Sequence, residues 1–210
     1  MQTKTVLIFF GVALLWAIYR FIHPSIPVWL EESFIKGLVF SLPILLFPPQ
    51  PKPILKTLGI NRHNFLKSVY LGIAVGMVLG FAGQIGNLVR HGEFTFTTYG
   101  ITSATIGSFL ILSLITAFWE QLLFSGYFLS TTKSFIASEV NRVLIVGAAF
   151  SLIHLPALLL DQASSSQIIL NLLLLFSLGV SCGILRLRLN NLIAPIMIHA
   201  MWGVTIFLFR

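Results

Sequence analysis

The sequence predicts an all-α, polytopic bundle of about seven transmembrane helices, and three observations carry that prediction. Hydrophobic residues make up 57% of the 210 residues and charged ones only 9%. Mean hydropathy is +0.96, far outside the range of a soluble globular domain. The apolar residues also fall into runs close to the roughly 20 residues that a helix needs to cross hydrocarbon. No linker, low-complexity run or fixed-period repeat divides the chain, so a single integral membrane domain over 1–210 is expected.

Spans are expected near 5–22, 28–47, 65–89, 103–129, 142–160, 168–185 and 191–209. The first apolar run, Val6 to Phe21, lacks a small-x-small cleavage site before His23-Pro24 and reads as a retained span rather than a signal peptide. In the second, Glu31, Glu32 and Lys36 occupy the first turns, which predicts an interfacial start and a clean apolar stretch only over Gly37 to Phe47. Pro48-Pro49-Gln50-Pro51-Lys52-Pro53 cannot continue a helix, because proline lacks the amide donor and holds extended backbone. It is a stiff connection. Phe94-Thr95-Phe96-Thr97-Thr98-Tyr99 reads as a short interfacial loop on the outer side. Cys182, the one cysteine, lies in a hydrophobic run and reads as a small core residue.

The net charge of +7 does not point to nucleic acid, since the cations are scattered among loops without interleaved stacking aromatics. Their placement reports topology instead. With a cytoplasmic N-terminus, the inner segments hold Lys4, Lys52, Lys56, Arg62, Lys67, Lys133, Arg142, Arg186 and Arg188. The outer ones hold only Arg20, Lys36, Arg90 and Arg210. This is the positive-inside pattern of a multi-pass cell-membrane protein.

Three lone ionisable groups interrupt greasy segments: Glu120 in LITAFWEQLLFSGYF, His154 in IVGAAFSLIHLPALL and His199 in LIAPIMIHAMWG. Such groups are costly in hydrocarbon and mark polar interior sites. A helix rise of 1.5 Å per residue places them ~14, ~18 and ~12 Å from the inner ends of their spans. A shared depth predicts a shared site. A carboxylate beside imidazole can activate water, and one Glu with two His is also a ligand set of some catalytic zinc sites. A divalent metal on Glu120, His154 and His199 is therefore an open expectation. An aspartyl mechanism is excluded, because the only aspartate, Asp161, falls in an outer loop, and no H-E-x-x-H motif occurs. Ser125 with a histidine could form a serine mechanism, but Ser125-Gly126 reads better as a close-packing pair.

These motifs resemble the CPBP group of intramembrane proteases, also called the ABI or CAAX protease family, over about 101–209. The family's E-E-x-x-x-R-G is similar to Glu120-Gln121-Leu122-Leu123-Phe124-Ser125-Gly126, its F-x-x-x-H to Phe150 through His154, and its H-x-x-x-N/D to His199 through Gly203. Asn190-Asn191-Leu192-Ile193-Ala194-Pro195-Ile196 is also similar to the family. The resemblance implies Glu120 and His154 as the water-activating pair and His199 as the polarising, oxyanion-stabilising residue. Three positions depart from it: Gln121, Ser125 and Gly203. Positions 121 and 125 are one helical turn apart, so a Glu/Arg pair has been lost together. Gly203 removes a side-chain hydrogen bond near His199, and one oxyanion donor is worth ~10²–10³ in rate.

The resemblance implies an endopeptidase that hydrolyses a hydrophobic or prenylated peptide in the membrane. The alternative is a non-catalytic relative that binds a membrane partner, as a bacteriocin-immunity factor would, and the three departures favour it. Retention of Glu120, His154 and His199 favours the enzyme.

Overall fold

The computed structural model describes residues 2–22, 26–50, 53–91 and 102–208. Among them every regular element is helical. The elements are α1 (Gln2–Ile22), α2 (Val28–Leu30), α3 (Lys36–Leu46), α4 (Ile54–Leu58), α5 (Phe65–His91) and α6 (Ser103–Gln121). They continue through α7 (Leu129–Thr131), α8 (Glu139–Leu152), α9 (Leu155–Leu160), α10 (Ser165–Leu189) and α11 (Ile193–Leu208). Five stretches are long and apolar enough to cross a membrane: Gln2–Ile22, Phe65–Ile85, Ser103–Ser134, Glu139–Leu160 and Ser165–Leu189. The expected last span is represented by a shorter apolar helix, Ile193–Ile206. Large apolar side chains such as Leu38, Leu45 and Leu66 stand more than 70% exposed on the bundle's outside, as a lipid-facing surface requires.

The expected span at 28–47 is helical but irregular. A π-turn over Glu31–Ile35 joins α2 to α3. It turns Glu31 and Lys36 inward, each 4% exposed, where an interfacial start and an outer-side Lys36 were expected. The physical reason is pairing: Arg20 of α1 donates to Glu31 at 2.5 Å, and Lys36 has carboxylate partners inside the bundle. A second π-turn, Leu122–Phe128, follows α6. The aromatic-hydroxyl loop at 94–99, His23-Pro24 and Pro51-Lys52 lie outside the described residues.

Helix α11 is held between α5 and α6, and glycines make the approach to α5 possible. A Cβ at Gly72 would lie 2.8 Å from the Ala194 carbonyl oxygen, and one at Gly76 would lie 2.5 Å from that of Ile198. With Gly80 these glycines form a stripe at four-residue spacing, the small-residue seam that lets membrane helices meet backbone to backbone. Gly147 and Gly179 make a similar contact between α8 and α10. Gly126 packs against the Leu58 carbonyl, and Cys182 is fully buried, its thiol beside the Pro195 carbonyl.

The seam sets the position of His199, one residue after Ile198. Gly76→Ala should lower stability by ~1–3 kcal/mol through overpacking, measured as a lower thermal midpoint in detergent. Gly11→Ala, where nothing lies within 4 Å, should not lower it.

Candidate active site

Glu120 occupies the last turn of α6, 3% exposed. Its Oε1 accepts a hydrogen bond from Lys36 Nζ at 2.7 Å. Lys36 also pairs with Glu32, whose Oε2 accepts from Thr116 Oγ1 at 2.7 Å. The Lys36 ammonium lies 5.5 Å from the centre of the Trp16 ring, close enough for a cation–π attraction. An ammonium thus sits between two carboxylates. A buried carboxylate without such a partner would be far too costly in this setting.

The other oxygen, Oε2, is buried and makes no hydrogen bond. Both histidines face it, His154 Nε2 at 3.4 Å and His199 Nε2 at 3.8 Å. The three residues that the sequence placed at one depth therefore meet around one oxygen atom.

His154 stands at the break between α8 and α9. Pro156, in the first turn of α9, has no amide to continue the ladder, and the chain turns there. The freed geometry lets His154 Nδ1 donate to the Phe150 carbonyl at 2.8 Å. A carbonyl only accepts, so Nδ1 carries the proton. In the neutral ring Nε2 then presents a lone pair toward Glu120.

His199 has the opposite tautomer. Ser125 Oγ donates to Gln121 Oε1 at 2.5 Å, which commits the amide oxygen and leaves the Gln121 NH₂ facing His199 Nδ1 at 3.1 Å. Nδ1 must accept, and Nε2 carries the proton toward the cavity. Gln121 and Ser125, two of the three departures from the family motifs, thus form a chain that orients His199. Phe150 lies edge-on to His199, with centroids 5.4 Å apart, and 5.0 Å from the His154 ring. The aromatic of F-x-x-x-H holds both imidazoles.

The site opens on a cavity of about 290 Å³ whose lining includes Trp16, Phe40, Ile153, Trp202 and Ile206 beside the polar groups. Gly203 also lines it, and the place of a side chain there is taken. A Cβ at Gly203 would stand 2.8 Å from Ser113 Oγ. Ser113 is 3% exposed, and its hydroxyl makes no hydrogen bond.

The trio does not fit a metal as arranged. Among the described residues no group of three or more His, Cys, Asp or Glu side chains is placed to hold one. Lys36 occupies one carboxylate oxygen, and His199 turns a proton rather than a lone pair toward the cavity.

Sequence reasoning missed Lys36, Glu32, Ser113 and the role of Gln121. The signal for Lys36 was masked, because Glu31 and Glu32 share its turns and the three read together as charges at a span's end.

Fold and site together define a class: a polytopic helical membrane protein with a Glu/His centre enclosed in its bundle. Residues 102–205, close to half of the chain, match the Rce1-like family, described as type II CAAX prenyl endopeptidase Rce1-like, in agreement with the resemblance that the motifs carry. The match begins at α6 and contains all three facing residues. No curated protein and no solved structure matches the chain.

Two outcomes test this geometry. Lys36→Met should destabilise the protein by ~3–5 kcal/mol, as loss of one partner of a buried pair does, and Glu120→Gln in the same chain should restore much of that loss in a double-mutant cycle. In ¹⁵N spectra of labelled histidine, wild-type His199 should show the Nε2–H tautomer, and Gln121→Leu should convert it to a mixture.

Proposed function

We propose that the protein is an intramembrane endopeptidase that hydrolyses a peptide bond in a hydrophobic or prenylated substrate reaching the cavity from the bilayer. The observation that carries this reading is the buried, unbonded Oε2 of Glu120 with a histidine lone pair 3.4 Å away and a histidine N–H 3.8 Å away. A water admitted from the cavity would meet both Oε2 and the His154 lone pair as acceptors for its hydrogens.

In this mechanism Glu120 keeps its ion pair with Lys36 and orients the water, while His154 Nε2 receives its proton. The hydroxide oxygen bonds to the carbonyl carbon, and the carbonyl π electrons move to oxygen. His199 Nε2–H donates to that oxyanion. Ser113 supplies the second donor, standing where Gly203 has no side chain. Collapse breaks the C–N bond as His154 returns the proton to the leaving nitrogen. General acid–base transfer of this kind contributes ~10²–10⁴-fold. The same reading places the N-terminus in the cytoplasm, on the positive-inside pattern.

The decisive experiment is turnover of a quenched library of hydrophobic and farnesylated peptides by the protein in lipid vesicles. Glu120→Ala and His154→Ala should abolish cleavage. Ser113→Ala should lower kcat by ~10²–10³ with KM nearly unchanged, and a chelator should leave the rate unaltered. Gln121→Glu with Ser125→Arg should not raise activity, because Lys36 and the Gln121–His199 bond already do the work of that pair. Absence of wild-type turnover on every peptide would favour the non-catalytic binding or immunity role, in which Lys36 simply neutralises Glu120.

A further inference from the structure

A second cavity, about 470 Å³, opens at the opposite end of α6 from its N-terminus, where the π-turn and α7 meet the start of α8 and the end of α10. Its charged lining is lopsided: Lys56, Lys133, Arg142 and Arg186 against the single carboxylate of Glu139. Lys56 and Lys133 are exposed, whereas Arg142 and Arg186 are 4% and 5% exposed.

The two arginines are not compensated. Arg186 donates to the Thr57 carbonyl at 2.9 Å and to Asn190 at 3.2 Å, both neutral acceptors, and Gly59 in left-handed backbone (φ 85°) makes room for its guanidinium. Arg142 meets Glu139 at 3.6 Å, but that carboxylate is 63% exposed, and such pairs contribute little. The Nε of each arginine is buried with no hydrogen-bond partner. Two buried guanidiniums with idle donors beside one cavity call for an anion.

The apolar continuation of the cavity selects which anion. A groove of about 240 Å³ between α8 and α10 shares Glu139 and Leu187 with it and is lined by Val140, Leu144 and Ile184, which are 41–66% exposed. Charge at a span terminus, followed by an open hydrocarbon groove running along the helices, matches a phosphate with acyl chains attached.

We infer that this end of the bundle is a binding site for one anionic phospholipid, its phosphate held by Arg142 and Arg186 under Lys56 and Lys133, and one acyl chain laid in the α8–α10 groove. The site is separate from the Glu120 cavity, although Ser125 connects them. Ser125 lines the basic cavity and donates to Gln121, which holds His199. The bound lipid would therefore lie one hydrogen-bond chain away from the candidate active site.

The test is native mass spectrometry of the full chain released from nanodiscs of phosphatidylglycerol or of phosphatidylcholine with the same acyl chains. One phosphatidylglycerol should be retained in preference to phosphatidylcholine. That preference should fall roughly fivefold for each cation removed in Lys56→Gln with Lys133→Gln, whose exposed positions leave folding intact, and in Arg142→Gln. Arg62→Gln with Lys67→Gln removes the same number of exposed cations outside the cavity and should keep the preference. Equal retention of the two lipids would overturn the inference. So would an equal fall in the Arg62/Lys67 control, which would mean general surface charge. If glycerol phosphate without acyl chains raised the thermal midpoint as much as phosphatidylglycerol, the site would be one for soluble phosphate and the lipid assignment would be wrong.

Discussion

Everything in the centre of this bundle depends on one ion pair, Lys36 with Glu120. A carboxylate in a membrane interior is tolerable only when a cation and hydrogen bonds replace the water it has lost. Here the cation comes from a different helix, 84 positions away in the chain. The pair thus joins the N-terminal helices to the family-matching half and holds Glu120 with one oxygen engaged and the other open. Glu32 and Thr116 complete the array, so Lys36 is itself held between two carboxylates.

The two π-turns are the backbone counterpart of that pair. Each adds a residue to its turn and shifts the facing side chains, and one lies immediately before Lys36 while the other starts two residues after Glu120. Regular helices would present different residues at these positions. The glycine seam on α5 acts in the same way on α11, carrying His199 to the level of Glu120 through backbone proximity rather than through polar contact.

The three departures from the family motif have a common physical reading. Gln121 and Ser125 exchange an ionic link for a neutral hydrogen-bond chain, and that chain ends on His199 Nδ1. Gly203 is compensated in space by Ser113, which comes from α6 and fills the volume beside it. The site therefore retains opposite tautomers on its two histidines, one acceptor and one donor aimed at the same carboxylate oxygen. In the proposed mechanism that asymmetry assigns water activation to His154 and oxyanion stabilisation to His199.

Much of this was legible beforehand, because hydrocarbon imposes a simple rule on a sequence: long apolar runs span, and an isolated ionisable group inside one needs a partner. That rule alone determined the helical bundle, the approximate spans and the convergence of Glu120, His154 and His199. Rise per residue is a local property, so depth could be counted along each helix. Which partner neutralises Glu120, which nitrogen of each histidine carries its proton, and what occupies the space beside Gly203 were decided only by tertiary structure. These depend on the rotation of each helix about its axis and on the irregular turns that set it. A reading that takes Glu31, Glu32 and Lys36 as an interfacial start has the right chemistry for charges at a span's end. The inward turn that buries Glu31 and Lys36 is specified by residues on α1 and α6, and no window along the second helix contains them.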